Sequence, residues 1–385
     1  MNRKKKLGLA VLLILLAALA GFGWTYVKGK DQTTEKKLSS IRMLIDQYYL
    51  EDTEDTEFEE GIYKGYVEQL GDPYSVYYTK EEYKKLVEED SGHYEGIGIV
   101  VSQNIETGKI TVTRVFKDSP AAKAGIQRYD VISAVDGVST ADMELTEVVK
   151  KIRGGVGETV ELTILRDNEE LKIESERGKV ESQMVESQMM DDQIGYIAIY
   201  EFISNTYEQF HEAYEELEGQ GMKALVLDLR SNPGGLLDQV QKVADDFIPE
   251  GSVIVSTEDK QGNKEYLKAE TSDELEIPLV ILVDGYSASA SEILAGAVKD
   301  YQIGTLMGQT TYGKGIVQRI FPLSDGSAVK LTISKYYTPN GNYIHEKGIE
   351  PDIEIKEEYV EEKGNTLSDD TWVQAAVKQL KKKIK

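Results

Sequence analysis

Two short runs hold residue types that could do covalent chemistry on a peptide bond. The first is Ser287-Ala288-Ser289-Ala290-Ser291-Glu292. It follows an apolar strand-like run, Pro278 to Val283, and opens a helix-like run, Ala290 to Lys299. Ser289 therefore sits where a strand turns into a helix. Backbone N–H groups there are unpaired and the helix dipole favours negative charge. That suits an activated hydroxyl and a developing oxyanion. The second run is Gly308-Gln309-Thr310-Thr311-Tyr312-Gly313-Lys314-Gly315-Ile316-Val317-Gln318. On a strand, Lys314, Ile316 and Gln318 share one face. A serine and a neutral lysine can hydrolyse amides without histidine. Gln318 could hold the amine without adding a charge that keeps it protonated.

Each piece has a competing reading. Three serines compete for the role of nucleophile, and Ser289-Ala290-Ser291-Glu292 also fits a capping box. Gly308-x-x-x-x-Gly313-Lys314 matches most of a phosphate-binding loop, but Gly315 replaces the Ser or Thr that would ligate Mg²⁺. The residues after it, Ile316 to Phe321, read as a strand, so no helix N-terminus waits for phosphate. A lysine between glycines and before an apolar strand suits a buried amine with a lowered pKa. A third run, Asp228-Leu229-Arg230-Ser231-Asn232-Pro233-Gly234-Gly235-Leu236, follows an apolar strand. Its paired glycines let backbone N–H groups approach a ligand. Gly235 N–H could form half of an oxyanion hole, with Ala290 N–H as the other half. A plain turn before a helix fits the run equally well.

Composition narrows the chemistry. The chain has 385 residues, enough for two or three domains, and 40% are hydrophobic, enough for real cores. Cysteine is absent, which excludes disulfides, thiolate metal sites and a cysteine nucleophile. The three histidines, His93, His211 and His345, have no metal-ligand spacing and lie in no triad motif. The formal charge of -24 repels nucleic acid. Residues 7–27 carry no charge and follow Arg3, Lys4, Lys5 and Lys6. As a helix they would span about 30 Å, enough for a bilayer, with the remainder outside. We expect an uncleaved, single-pass cell-membrane anchor, because the apolar run continues through Trp24 and Tyr26. Secretion after cleavage at Ala18-Leu19-Ala20 is the alternative.

The elements that must position these residues follow in order. Leu38, Ile41, Ile45 and Tyr48 recur at helical spacing, as do Phe58, Ile62, Tyr66 and Leu70. Gly71-Asp72-Pro73 breaks the run, and Thr79-Lys80-Glu81-Glu82 reads as a capping box. From His93 short strands and turns take over. From about Ile194 to Ile355 strands alternate with helices, the α/β pattern. Candidate strands are Ile194–Ile199, Ala224–Leu229, Leu279–Val283, Ile303–Met307 and Val329–Ile333. An acidic linker then precedes a helix with Val373, Ala376, Val377, Leu380 and Ile384, expected to pack on the body or on a partner subunit.

Residues 94–176 resemble a PDZ domain. The likeness rests on Gly96-Ile97-Gly98-Ile99, Ser119-Pro120-Ala121-Ala122-Lys123-Ala124-Gly125 and Asp130-Val131-Ile132-Ser133-Ala134-Val135-Asp136-Gly137. It implies that N–H groups near Ile97, Gly98 and Ile99 hold a peptide's C-terminal carboxylate while the peptide adds as a strand. The catalytic runs, with this domain before them, resemble the carboxy-terminal-processing (tail-specific) serine peptidases over about residues 40–355. Gly71-Asp72-Pro73-Tyr74-Ser75, Asp325-Gly326-Ser327-Ala328-Val329, Thr338-Pro339-Asn340-Gly341 and Gly348-Ile349-Glu350-Pro351-Asp352 belong to the same likeness.

This resemblance implies Ser289 as nucleophile, Lys314 as general base, Gln318 as its assistant, and Gly235 and Ala290 at the oxyanion hole. It implies a crotonase-like α/β core with no metal or organic cofactor. The expected organisation is a basic segment (1–6), an anchor or signal (7–27), a helical arm (28–92), the PDZ domain (93–178), the peptidase core (179–357) and a linker with a last helix (358–385). The expected partners are proteins or peptides with exposed C-termini, and the apolar terminal helices are compatible with a homodimer. The expected function is an extracytoplasmic serine endopeptidase with a Ser-Lys dyad. The alternative is a non-catalytic, membrane-anchored PDZ scaffold that binds protein C-termini.

Overall fold

The computed structural model describes residues 34–53, 55–270, 275–356 and 366–384. The expected membrane segment, 7–27, lies outside them. Among the described residues, no helix is long and apolar enough to cross a membrane. The chain divides into two compact units, 1–66 and 67–385. In the first, residues 34–48 form a helix, as the apolar spacing predicts. Leu38, Ile41 and Tyr48 on its stripe are exposed. Arg42 lies over the Phe58 ring, 4.6 Å from its centroid, and pairs with Asp46 at 2.8 Å.

The second unit is built on a six-stranded sheet. Its order is Val185–Met190, Ile194–Ile199, Ala224–Asp228, Leu279–Val283, Gly304–Gly308, Ile353–Glu354. Only the first pairing is antiparallel. The central strands are buried on both faces, which is why they read as unbroken apolar runs. Leu225, Leu227, Leu279 and Ile281 point to the helices Thr206–Gly219, Leu237–Asp245 and Ala290–Asp300. Val226, Val280 and Leu282 point to the opposite face. There the helix Thr371–Leu380 covers them with Trp372, Val373, Ala376, Val377 and Leu380. The last helix thus packs on the body.

Asp370 caps that helix, accepting from Trp372 N (2.9 Å) and Val373 N (3.1 Å). Arg230 joins Asp370, at 2.7 Å, to Asp228 at the end of a central strand. The C-terminal helix is therefore locked to the strand that leads into the paired glycines.

A second sheet runs Val76–Tyr78, Ala328–Tyr337, Val253–Asp259, Lys264–Lys268, with Ile316–Pro322 also paired to Ala328–Tyr337. Val76–Tyr78 falls within the stretch read as a helical arm. Gly71 and Pro73 stop the helix, and Val-Tyr-Tyr has the side chains of a strand. It pairs with Lys330, Val329 and Ala328, so this part of the arm is built into the peptidase body.

The PDZ-like region is an insertion. The chain enters it along His93–Gly96 and leaves along Gly178–Glu181, which pair antiparallel. Between them lie the strands Ile99–Gln103, Ile110–Val115, Val131–Val135, Thr159–Arg166 and Glu169–Glu176, and the helix Leu145–Ile152. Ser119 caps a short helix by accepting from Ala122 N at 3.2 Å. Asp136 and Gly137 have φ of 49° and 73°, the two-residue turn that an Asp-Gly pair encodes. Arg114 reaches across to the core, 3.8 Å above the Tyr200 ring, and donates to Gln183 O at 3.0 Å.

Trp372 anchors the last helix and is 3% exposed. Trp372→Ala is expected to destabilise the body by about 3–5 kcal/mol in denaturant unfolding. A loss below ~1 kcal/mol would mean that the helix is not part of the cooperative core.

Candidate active site

The nucleophile turn begins where Leu279–Val283 ends. The Asp284 carboxylate accepts from Tyr286 N (3.0 Å), Ser287 N (2.9 Å) and Ser231 N (3.0 Å), folding the turn and tying it to the neighbouring loop. Ser289 then adopts φ 53° and ψ −112°, a region that costs a non-glycine residue strain. The next residue, Ala290, is the first of the helix Ala290–Asp300.

The three serines separate cleanly. Ser287 and Ser291 are fully buried, and their hydroxyls donate to Leu229 O (2.8 Å) and Asn232 O (3.1 Å). They peg the nucleophile turn to the glycine loop. Ser289 alone remains partly exposed.

The glycine loop is organised by Asn232, which sequence reading left without a role. Its side chain donates to Ile199 O and accepts from Gly234 N, both at 2.8 Å, while its carbonyl accepts from Ala288 N at 3.0 Å. Gly234 has φ 104° and Gly235 φ 132°. A Cβ on Gly234 would sit 2.8 Å from both Ala290 N and Ser289 Cβ. A Cβ on Gly235 would strike the Phe202 carbonyl. Side chains are thus excluded from both positions, and the loop backbone closes onto Ser289. Among the described residues, the N–H groups of Gly235 and Ala290 have no acceptor in the protein. Two such donors beside Ser289 can hold an oxyanion.

Lys314 arrives on the third loop. The N–H groups of Gly313 and Lys314 donate to Glu292, at 2.7 and 2.8 Å. The same carboxylate accepts from Thr311 Oγ1 (2.6 Å) and from Ser289 N (2.8 Å). Glu292 is fully buried. The capping-box reading of Glu292 catches its bond to Ser289 N, but not its three bonds to the lysine loop. The phosphate-loop pattern is spent on this packing too. The Gly313 and Lys314 N–H groups that a phosphate would need already bind a carboxylate. A Cβ at Gly308 would meet Val283 O, and one at Gly315 would lie 2.7 Å from His345 N.

Burial lowers the Lys314 pKa below the usual lysine value, and Lys330 adds to this. Glu292 and Asp72 oppose it. Its Nζ lies 4.8 Å from the centroid of the Tyr74 ring. Among the described residues, it makes no hydrogen bond to Ser289 or Gln318. Gln318 instead donates to Thr332 Oγ1 at 3.3 Å and Ile316 O at 3.5 Å. The expected shared strand face needs Lys314 and Gln318 on one strand. The strand starts only at Ile316, and its register to Ala328–Tyr337 shifts between Val317 and Gln318. The extra residue at that point is Ile333, so the bulge lies on the partner strand. Tyr74, carried by the segment before the PDZ-like insertion, is a site residue that loop reading alone did not reach.

In the PDZ-like region, Gly98 has φ 83°, and a Cβ there would strike the Ser119 side chain. Ile97 and Gly98 carbonyls accept from Ala121 N and Phe116 N. The Gly98 backbone lies at the Tyr94 hydroxyl, whose pKa burial pushes up to about 12, and Arg153 stacks 5.0 Å above the Tyr94 ring. A tyrosine phenol thus stands beside the loop expected to hold a carboxylate. Among the described residues, no group of three or more His, Asp or Glu could hold a metal ion.

Comparisons with known proteins agree on the family of this site. Residues 193–355 match peptidase family S41, 111–166 match a PDZ domain, and 25–82 match the N-terminal domain of the activating protease CtpB. The carboxy-terminal processing protease CtpB of Bacillus subtilis is 38% identical over 335 residues, covering 85% of this chain and 69% of that protein. CtpA of the same organism is 36% identical over 367 residues, covering 92% and 78%. Among solved structures, a "Putative S41 protease" from Bacteroides fragilis superposes with a TM-score of 0.54 at 18% identity, covering 75% of this chain and 83% of that one.

Glu292→Gln would turn an amide NH₂ toward backbone N–H donors. It is expected to cost about 2–4 kcal/mol in denaturant unfolding and to lower peptidase activity at least about tenfold. A variant with parental stability and rate would show that the carboxylate does not hold the two loops.

Proposed function

Because the chain belongs to the carboxy-terminal processing serine proteases of peptidase family S41, we propose that it cleaves protein substrates with a Ser289–Lys314 dyad. Ser289 Oγ attacks the peptide carbonyl and Lys314 takes its proton. The oxyanion rests on the N–H groups of Gly235 and Ala290. Lys314 then returns the proton to the leaving amine, and water hydrolyses the acyl-enzyme with the lysine again as base. Gln318 would orient the amine once Lys314 turns toward Ser289. The observation that carries this reading is the single buried carboxylate that binds both Ser289 N and Lys314 N. It supports a site in which nucleophile and base are fixed relative to each other.

The PDZ domain would capture an exposed C-terminal tail at Ile97, Gly98 and Ile99, with the Tyr94 phenol giving way to the carboxylate. Residues 7–27 would anchor the chain in the membrane with the peptidase outside. The exposed apolar stripe of helix 34–48 supports a homodimer formed through the N-terminal segment. The domain limits follow the sequence reading, with residues 67–92 assigned to the peptidase body.

The dyad is tested with an unstructured protein substrate. Ser289→Ala and Lys314→Ala are each expected to lose about 10³-fold or more in kcat. Cleavage that persists in both would sink the assignment. The lowered Lys314 pKa sets the pH dependence. The amine is a base only when neutral, so activity falls as pH drops through that lowered value. The limb should lie below the ~10.4 of an ordinary lysine.

Tail capture is tested with peptide substrates that differ only in a free or amidated C-terminus. Amidation should raise KM by about tenfold, the loss of roughly one charge-assisted contact. Equal KM values would remove the PDZ loop from substrate binding.

A further inference from the structure

Tyr74 belongs to Gly71-Asp72-Pro73-Tyr74-Ser75, far in sequence from the peptidase match at 193–355. It nevertheless lies against the base. Lys314 Nζ is 4.8 Å from the Tyr74 ring centroid. The Tyr74 hydroxyl meets that of Tyr312, on the lysine's own loop, at 3.4 Å. The ring is held in place from behind. Asp72 accepts from Tyr74 N (3.0 Å) and from Ser75 Oγ (2.5 Å). Ser75 Oγ in turn accepts from Thr332 N at 3.0 Å, and Thr332 Oγ1 accepts from Gln318. The strand Val76–Tyr78 fixes the whole motif to Ala328–Tyr337. One short segment thus reaches both the base and its expected assistant.

We propose that Tyr74 is a positioning residue that holds the Lys314 ammonium over its ring, away from Ser289, until substrate draws the amine to the nucleophile. This rests on the dyad reading above. The face of an aromatic ring attracts a cation and not a neutral amine. Tyr74 therefore favours the idle, protonated lysine, and its ring sets in part the pH at which the base becomes available. The other groups acting on the amine are Lys330, which disfavours its charge, and Glu292 and Asp72, which favour it. Tyr312 stands beside Tyr74, and His345 packs its backbone against Gly315. Lys330 is itself occupied over the Tyr78 ring at 5.3 Å.

The test is the acid limb of kcat/KM in the full chain. Tyr74→Leu keeps an apolar cover but removes the ring face, so the limb should move to lower pH, by about 0.5–1 unit. Tyr74→Phe keeps the ring, so its limb should lie within about 0.3 unit of the parent's. Should the leucine variant fail to fold, phenylalanine with one, two and three fluorines at position 74 keeps the shape and weakens the ring face in steps. The limb should then fall in the same order. A limb that stays fixed or rises in the leucine variant or across the fluorinated series overturns the proposal. So does a folded leucine variant inactive at every pH, which would make Tyr74 a wall of the site. A fixed limb with an inactive Lys314→Ala would leave the dyad standing and remove only Tyr74. Cleavage by Lys314→Ala would remove the dyad itself.

Discussion

The buried carboxylate of Glu292 is the interaction on which the site depends. A charged group without solvent must be matched by donors, or it costs several kcal/mol. Here four donors converge on it, from Ser289, Thr311, Gly313 and Lys314. Two loops that follow neighbouring strands therefore share one acceptor. Moving either loop would strip a buried charge of partners, so the backbones of Ser289 and Lys314 are held to a common reference. The same bonds help to sustain the strained backbone at Ser289, where φ is 53°.

Around that point, small residues serve contact between backbones. Gly234 lies against Ala290 N, Gly235 against the Phe202 carbonyl, and Gly313 against the N–H groups of Lys347 and Gly348. Three chain segments can then pack closely around Ser289, and the N–H groups of two residues, Gly235 and Ala290, stay without an acceptor among the described residues. The flanking serines add registration. Ser287 and Ser291 turn their hydroxyls to the loop of Gly235, while Ser289 alone points where a substrate can reach. A run that reads as three equivalent candidates is one partly exposed serine between two buried pegs. The ion pairs Asp228–Arg230–Asp370 extend this fixing to the C-terminal helix, so the glycine loop is braced from both ends.

Much of this was legible in sequence where local chemistry decides structure. The central strands follow from their apolar runs and the Thr79 cap from its capping box. The runs around Ser289, Gly235 and Lys314 are brought together as their order implied. What failed needed pairings between distant residues. Val76–Tyr78 is a strand only because Ala328–Lys330 offers an edge. The bulge at Ile333 and the bond of Gln318 to Thr332 depend on register between two paired strands. Glu292 reads as an ordinary helix cap until the lysine loop is placed over it, and Asn232 reads as a turn residue until Ile199 O comes within reach.

The separation of Lys314 from Ser289 gives the resting site a two-state element. An amine can rest on one partner at a time, here the Tyr74 ring, and the proposed dyad requires it on the serine. The rate then scales with the fraction of molecules in the second arrangement. The segment that holds the first arrangement runs on from Tyr74 through the strand Val76–Tyr78 and the helix Lys80–Asp90 to the strand His93–Gly96, and so into the loop of Ile97 to Ile99. Glu89 on that helix meets Arg153, which stacks on Tyr94 beside the same loop. Continuity alone does not transmit a signal; coupling needs an element with two arrangements that both ends can bias. In the proposed mechanism Lys314 is such an element, with its two partners carried on different parts of the chain: Ser289 on the turn after Leu279–Val283 and Tyr74 on the turn before Val76–Tyr78.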